Sequence, residues 1–256
     1  MLSLHIFLLN VRRALSRLLG IQIFGPIYAG NLKGYRFLVD TYNEYFDSSY
    51  DEKSFKYVLN ELKQKPGSII YDMGANIGYF SVLCSAVSGS RASLYAFEPI
   101  PANMDILCRH ILMNKVKNVF PVNLAVSDQF GMIDFSAENS SVSYTYKQSS
   151  EVYGNRVVNI KVGIISLDIL IANFGFLPPD ILKVDVEGAE YDVLKGGTVT
   201  IKKYRPRILL STHEPHCKGV EKCCLDFLNE MNYDCVQIPN EPGRMVGLND
   251  YWCTPK

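Results

Sequence analysis

The sequence predicts an α/β protein in which helices cover both faces of a mostly parallel sheet. Short apolar runs alternate with helical patterns over most of the chain from residue 69 onward. One of these runs stops at Asp72 and turns through Gly74 and Gly78 into a helical pattern. Such a turn is typical of sheets that bind nucleotide-like ligands. The length of 256 residues suits one such domain with an appendage.

The net charge bears on which partners the protein can bind, and the cysteines bear on its cellular location. Lys and Arg together number 26, as do Asp and Glu, so the formal net charge is zero. A neutral chain argues against nucleic acid as a partner. The seven cysteines are odd in number and irregularly spaced. This pattern indicates reduced thiols and favours a cytoplasmic location.

The first nineteen residues carry the pattern of a basic amphipathic helix. Its large apolar residues recur at helical spacing: Leu4, Phe7, Leu8, Val11, Leu15, Leu18 and Leu19. Arg12, Arg13 and Arg17 follow the apolar start, which reverses the order of a secretory signal, and the apolar run is too short to span a bilayer. Three roles stay open: covering the core, contacting an oligomeric partner, or lying on a membrane surface. We expect the first, because most amphipathic helices cover cores.

Residues 1–53 are predicted to form an N-terminal extension, followed by a domain at 54–256. Within the extension, residues 21–51 are rich in Gly, Tyr and Phe, which indicates short strands and loops after the helix. A helical pattern at 54–63 then precedes the strand that ends at Asp72.

The alternation of elements continues after Asp72. The predicted elements are a helix at 78–87, a strand at 93–97, a helix at 101–114 and a strand at 119–126. Later elements are a helix at 167–174, a strand at 180–186, a helix at 189–195, a strand at 206–211, a helix at 218–231 and strands at 233–238 and 248–253. This alternation is what predicts the parallel sheet.

The alternation breaks at residues 129–164, where we expect an inserted hairpin. Strand patterns at 132–135 and 157–162 flank a polar tract at 138–144. We expect the tip of this hairpin to be mobile, and it is a candidate lid over the substrate, because long connections inside compact domains are usually functional. An ordinary edge hairpin is the alternative.

Acidic and imidazole side chains end several of the predicted strands. Asp72, Glu98, Asp185 and the pair His213-Glu214 all fall at carboxyl ends of strands, which meet at one rim of a parallel sheet. Glu98 follows Gly78 by twenty positions, at the end of the next strand. A carboxylate there can accept both hydroxyl groups of a ribose.

Two ligand classes compete for the glycine turn. A dinucleotide site needs Gly-x-Gly-x-x-Gly, whereas this chain has Asn76 and Tyr79 in place of further glycines. Asp72 suits the ammonium and sulfonium groups of an amino-acid-bearing nucleoside better than a pyrophosphate, because opposite charges attract strongly in a partly dry cleft. S-adenosylmethionine therefore fits this turn better than NAD.

Four segments resemble the FkbM family of S-adenosylmethionine-dependent methyltransferases. They are residues 72–81 (DMGANIGYFS), 96–99 (AFEP), 123–128 (NLAVSD) and 182–196 (LKVDVEGAEYDVLKG). The resemblance covers roughly residues 55–240. It implies a class I, Rossmann-like fold with a seven-stranded sheet and methyl transfer to a hydroxyl of a sugar, glycan or secondary metabolite.

The resemblance also implies a set of cofactor-binding positions. In this sequence they are Asp72, Gly74, Ala75, Asn76, Gly78, Phe97, Glu98, Pro99, Ala125 and Asp185. Asp72 and the two glycines would hold the methionine end, Glu98 the ribose, and residues 124–126 the edge of the adenine. Asp185 would line the side on which the methyl group is transferred.

A hydroxyl acceptor needs a base, since it is a poor nucleophile at neutral pH. His213 is the first candidate and Asp185 the second, with Glu214 beside them at the rim. His213 could equally be a hydrogen-bonded residue at a strand end. A divalent cation among the acidic residues is an open possibility that no diagnostic spacing supports, so no metal ligand is assigned.

Two other functions remain compatible with the sequence. One is an NAD-dependent oxidoreductase on a similar sheet, against which the missing glycine argues. The other is a non-catalytic binding or scaffold protein that docks through its N-terminal helix. The methyltransferase is favoured, with a small-molecule or carbohydrate acceptor as its partner.

Overall fold

The structure is a computed structural model that describes residues 2–40, 45–46, 49–138, 157–240 and 245–256. Its strands are β1 (Phe24–Pro26), β2 (Arg36–Leu38), β3 (Ile69–Met73), β4 (Ser93–Phe97), β5 (Val119–Val122), β6 (Ala125–Ser127), β7 (Gly131–Glu138), β8 (Val157–Ser166), β9 (Ile181–Val184), β10 (Arg207–His213), β11 (Tyr233–Ile238) and β12 (Leu248–Pro255). Its helices are α1 (Leu2–Leu19), α2 (Glu52–Gln64), α3 (Tyr79–Val87), α4 (Pro101–Met113), α5 (Leu167–Phe174), α6 (Glu190–Gly196), α7 (Thr198–Tyr204) and α8 (Val220–Glu230).

A seven-stranded sheet forms the centre of the fold, in the order β11-β12-β10-β9-β3-β4-β5. Every neighbouring pair from β10 to β5 is parallel, and β12 is antiparallel to both of its neighbours. The predicted mostly parallel sheet of seven strands is therefore confirmed. Strand order reverses on either side of β3, and ligands of such sheets bind at the carboxyl ends beside this point.

Helices bury an apolar core on each face of the sheet. On one face α2, α3 and α4 contribute residues such as Val58, Val82 and Leu107. On the other face α5 to α8 contribute residues such as Leu170 and Leu228. The two cores hold β3 and β9 between them, so the carboxyl ends of these strands have a rigid support.

The N-terminal segment shares the first of these cores. The β1–β2 hairpin places Phe37 among the rings of His110 and Tyr79. The amide of Leu38 donates a hydrogen bond of 3.0 Å to His110 Nε2, so Nδ1 of that ring carries the proton and donates to the carbonyl of Ile77 at 2.7 Å. Burial lowers the pKa of His110 to about 4. This neutral histidine joins the extension to the glycine turn.

Helix α1 does not pack as the sequence suggested. The prediction that its apolar face covers the core is wrong, because the seven large residues of that face are 39 to 80% exposed. Hydrogen bonds from Arg13 and Ser16 hold the polar face against residues 39 and 40 instead. None of the helices in the described part of the chain has the length and apolarity that a membrane crossing needs.

Residues 119–126, predicted as one strand, form two strands in different sheets. Between β5 and β6, Asn123 Nδ2 donates hydrogen bonds to the carbonyls of Glu98 and Pro99 at 2.8 and 3.2 Å. These bonds turn the chain away from the central sheet. Strand β6 then pairs with β8 in a three-stranded sheet of order β6-β8-β7.

Strands β7 and β8 pair antiparallel within that small sheet, from Gly131 opposite Ile164 onward. The mobile tip and the lid expected of this hairpin fall on residues 139–156, which lie outside the described residues. Both stay predictions.

Helix α7 is an element that the sequence pattern did not predict, since the pair Gly196-Gly197 indicates the end of a helix. A Cβ on Gly196 would lie 2.0 Å from the carbonyl oxygen of Ser127. Glycine therefore allows α6 to approach β6 closely, and α7 begins directly after it.

We expect Gly196→Ala to lower the free energy of unfolding by about 2 kcal/mol or more, because the added methyl group forces α6 away from β6. Gly67→Ala is the matched control: its Cβ would meet nothing within 4 Å. This control should change stability by less than about 0.5 kcal/mol. Urea unfolding measures both, and equal stability of the two variants would contradict the close approach.

Candidate active site

The turn after β3 depends on two glycines with positive φ angles, +82° at Gly74 and +85° at Gly78. A Cβ on Gly74 would lie 1.8 Å from the carbonyl oxygen of Asp185, so glycine lets the loops after β3 and β9 touch. A Cβ on Gly78 would lie 2.9 Å from Leu107 Cγ in α4. Gly78 therefore has a packing role between α3 and α4, and its contact with the methionine end of a ligand stays a prediction.

Backbone hydrogen bonds attach this turn to the end of β4. The amides of Gly74 and Ala75 donate to the carbonyl of Phe97 at 3.1 and 2.9 Å. The amide of Asn76 donates to Glu98 Oε2 at 2.8 Å. The Phe97 ring itself is buried against Tyr71 in the core. Phe97 therefore shapes the site through its backbone.

Glu98 is buried beside the turn with several donors around it. Its Oε1 accepts from the amide of Ile100 at 2.9 Å and from Asn103 Nδ2 at 3.3 Å, while Oε2 accepts from Asn76. Burial raises the pKa of Glu98 to about 7, although the three hydrogen bonds oppose the shift. This carboxyl group therefore changes its charge near neutral pH.

A buried lysine that the sequence reasoning did not single out lies between two of the predicted site acids. Lys183 Nζ is 3.1 Å from Asp72 Oδ1, 3.1 Å from Asp185 Oδ2, and donates to the carbonyl of Gly74 at 3.2 Å. Burial lowers the pKa of Lys183, but the charges of the two aspartates outweigh it, so the net shift is upward. The sequence signal that could have identified Lys183 is its position within the apolar strand Ile181–Val184.

This ion cluster pairs Asp72 with Lys183, so Asp185 is the acid that can meet a ligand. Asp72 is fully buried, with Oδ2 accepting from Ser81 Oγ at 2.7 Å and Oδ1 beside Lys183. The side chain of Asp185 is 28% exposed. Two carboxylates around one ammonium leave one negative charge, and Asp185 presents it at the rim. The residues present fit a cationic ligand.

His213 ends β10 at the same rim and is almost fully buried. Its Nδ1 lies 2.7 Å from Oε1 of the fully buried Glu190. Its Nε2 lies 3.5 Å from Asp185 Oδ1 and 3.6 Å from Glu187 Oε2. Burial lowers the pKa of His213, but the hydrogen bond to Glu190 and the charges of Glu187 and Asp185 raise it to about 9.

Glu190, the partner of His213, is also fixed by its own helix. The structure places it at the first position of α6, where Oε1 also accepts from the amide of Gly188 at 2.8 Å. Because Nδ1 of His213 donates to this carboxylate, Nε2 is the nitrogen that faces Asp185 and can accept a proton. His216 stacks on His213 with ring centroids 5.5 Å apart, and its Nδ1 is 2.9 Å from Glu187 Oε2.

Glu214 is held by a different element. Its two oxygens accept from the amides of Gly219 and Glu221 at 2.8 and 3.0 Å, so this carboxylate caps the start of α8. The catalytic role of Glu214 stays a prediction.

The positions predicted at the adenine edge lie beside the small sheet. Ala125 opens β6 and packs near Ile100, and the carbonyl of Pro99 accepts from Asn123. Their contact with an adenine stays a prediction. Among the described residues, no group of three or more His, Cys, Asp or Glu side chains is arranged to hold a metal ion.

A cavity of about 560 Å³ lies at the opposite end of the central sheet, where Ser68, Asp180 and Arg207 precede or begin their strands. It therefore lies away from the carboxyl ends that carry Glu98 and His213, and it takes no part in the site.

The chain is similar to proteins of known name. Residues 72–235 match the model of the methyltransferase FkbM domain. The hexuronic acid methyltransferase AglP of Haloferax volcanii is 30% identical over 181 residues, covering 69% of this chain and 70% of its own. The 2-O-methyltransferase NoeI of Sinorhizobium fredii is 30% identical over 156 residues, covering 56% of this chain and 63% of its own.

Solved structures show the same fold at low sequence identity. Methyltransferase FkbM from Methylobacillus flagellatus superposes with a TM-score of 0.54 at 16% identity, over 73% of this chain but only 44% of that one. The O-methyltransferase from Bacillus cereus, in complex with SAH, gives a TM-score of 0.51 at 12% identity, over 82% and 83% of the two chains.

The fold and the rim define a class I, S-adenosylmethionine-dependent methyltransferase. The chain belongs to the FkbM methyltransferase family. Membership of this family decides against the NAD-dependent oxidoreductase.

If Glu98 accepts ribose hydroxyls, as the resemblance implies, binding of S-adenosylhomocysteine should tighten by about tenfold between about pH 6 and pH 8, because Glu98 ionises near pH 7. Calorimetry across this range measures how the affinity depends on pH. Glu98→Gln should bind S-adenosylhomocysteine weakly at every pH, so its affinity should not depend on pH. Asp105→Asn, a change at an exposed carboxylate, should keep the pH dependence of the wild type. A wild-type affinity that is flat across this range would exclude the role of Glu98.

Proposed function

We propose that the protein methylates a hydroxyl group of a sugar, glycan or secondary metabolite, with S-adenosylmethionine as donor. The observation that carries this proposal is the buried imidazole of His213, oriented by Glu190 with Nε2 toward the rim. A base at that place is what hydroxyl methylation needs. The names of AglP and NoeI, a hexuronic acid methyltransferase and a 2-O-methyltransferase, support the same substrate class.

The cofactor would be held by the turn after β3 and the end of β4. We propose that Glu98 binds the ribose, the turn at 74–78 the methionine end, and the start of β6 the adenine edge. Asp185 would attract the positive charge of the ligand, since Lys183 already neutralises Asp72. When bound, S-adenosylmethionine supplies an electrophilic methyl group.

His213 would remove the proton of the acceptor hydroxyl through Nε2. Its pKa near 9 means that the free protein carries an imidazolium at neutral pH. A cation bound next to Asp185 disfavours the imidazolium and lowers this pKa toward the working range. The carboxylates of Glu187 and Asp185 then face the imidazole that gains the proton. Asp185 is the alternative base.

Three further features of the molecule belong to the proposal. Residues 1–53 would act as an extension of the domain at 54–256, and the hairpin at 129–164 as an insertion near the acceptor. A cytoplasmic location agrees with the seven cysteines, of which none forms a disulfide in the described residues. Helix α1, whose apolar face is exposed, would provide a contact surface for a membrane or an oligomeric partner.

The acceptor can be found by transfer of a labelled methyl group from S-adenosylmethionine to fractionated glycans and metabolites, read by mass spectrometry. With that acceptor, His213→Ala should lower the rate of methyl transfer at least about a hundredfold, because the base is lost. Affinity for S-adenosylhomocysteine should stay within about threefold of wild type. Undiminished transfer would rule out His213 as the base, and methylated nitrogen would overturn the reaction class.

The pH profile tests the role of Glu190 as a positioning residue. The rate of wild-type transfer should rise with pH while the His213 proton is lost. Glu190→Gln should move this rise to lower pH and reduce kcat by about tenfold, because it removes a charge that raises the pKa of His213. Asp226→Asn, at an exposed pair far from the rim, should leave the profile unchanged. An unmoved profile in Glu190→Gln would leave Glu190 with a packing role only.

A further inference from the structure

Helix α1 exposes a continuous apolar stripe, which we call the α1 stripe. It consists of Leu4, Phe7, Leu8, Val11, Leu15, Leu18 and Leu19. These positions recur every three to four residues and so share one side of the helix. Monomeric soluble proteins rarely leave so many large apolar side chains together in water.

Contacts on the opposite side of α1 hold the stripe outward. Leu9 is buried, Arg13 Nε donates to the carbonyl of Val39 at 2.6 Å, and Ser16 Oγ donates to Asp40 Oδ2 at 2.6 Å. Arg17 pairs with Asp40 at 3.5 Å. Turning the stripe inward would break these bonds and would bury charged side chains without partners. The outward orientation is therefore a built feature of the fold.

Charge is distributed unevenly between this region and the rest of the chain. Residues 1–40 contain five Lys and Arg and one acidic residue, Asp40, a net charge of +4. Since the whole chain is neutral, the remaining residues carry a net charge of −4. Three of the five cations are exposed, Arg17, Lys33 and Arg36. An apolar stripe within a cationic region is complementary to an anionic lipid surface.

We propose that α1 binds the surface of an anionic lipid membrane, lying in its plane with the α1 stripe inserted among the lipids. A second copy of this chain fits less well, because two regions of net charge +4 would face each other across the contact. The area also argues against it. A helix of 18 residues is about 27 Å long. One face of such a helix offers a few hundred Å², below the roughly 800 Å² per partner of a stable interface.

Flotation with lipid vesicles tests this proposal on the full chain. The protein should float with vesicles of phosphatidylcholine and phosphatidylserine, and about tenfold less with phosphatidylcholine alone or at high ionic strength. The double variant Phe7→Asn/Leu15→Asn should lose binding by at least about tenfold, because two inserted side chains become polar. The matched control Phe130→Asn/Phe174→Asn, at exposed apolar residues outside α1, should bind as wild type does.

A second pair of variants tests the contribution of charge. Arg17→Gln/Lys33→Gln should weaken binding to anionic vesicles several-fold, while Lys202→Gln/Lys222→Gln, two exposed lysines elsewhere, should not. Thermal unfolding checks that each variant is folded.

Two results would overturn the proposal. One is equal flotation of the wild type and the folded Phe7→Asn/Leu15→Asn variant. The other is a dimer in solution, by sedimentation at several concentrations, that this variant dissolves. The proposal goes beyond the methyltransferase function and is independent of it, since S-adenosylhomocysteine affinity should be unchanged in every α1 variant.

Discussion

Lys183 lies buried between Asp72 and Asp185, and this ion cluster joins the parts of the site that the sequence keeps far apart. Asp72 belongs to β3, Lys183 to β9, and Asp185 to the loop that touches Gly74. A buried charge is tolerated only when it is paired, so the three groups must lie together. Two aspartates around one lysine leave one negative charge, and Asp185 presents it toward His213.

Two titratable groups with different pKa values, Glu98 and His213, lie on either side of this cluster. On the β4 side, burial brings the pKa of Glu98 up to about 7. On the β10 side, burial opposes the charged form of His213, yet the surrounding carboxylates hold its pKa at about 9. The first group suits the recognition of hydroxyl groups by a carboxylate, and the second suits proton removal once a positive ligand is bound. In the proposed function, the cofactor and the acceptor would meet at the carboxyl edge of the sheet between β10 and β4.

The sequence allowed the sheet, the glycine turn and Glu98 to be predicted, because each depends on spacing within a short segment. The ion pairs of Lys183 and the pairing of Glu190 with His213 depend on contacts between distant segments. A lysine inside an apolar strand signals a buried charge, but no local pattern identifies its partners. The orientation of α1 is a third case: amphipathic spacing reveals that a helix has two faces, but not which face the domain binds. Asn123 likewise divides one apolar run into two strands by bonding to residues after β4.

A double-mutant cycle on Asp72 and Lys183 tests most directly whether the ion cluster supports the site. Urea unfolding of Lys183→Met should show a loss of about 3 to 5 kcal/mol, because Asp72 is left buried without its partner. Asp72→Asn/Lys183→Met should recover about 1 to 3 kcal/mol relative to the sum of the single changes. Effects that add to within about 0.5 kcal/mol would contradict the account, since the two side chains would then be energetically independent.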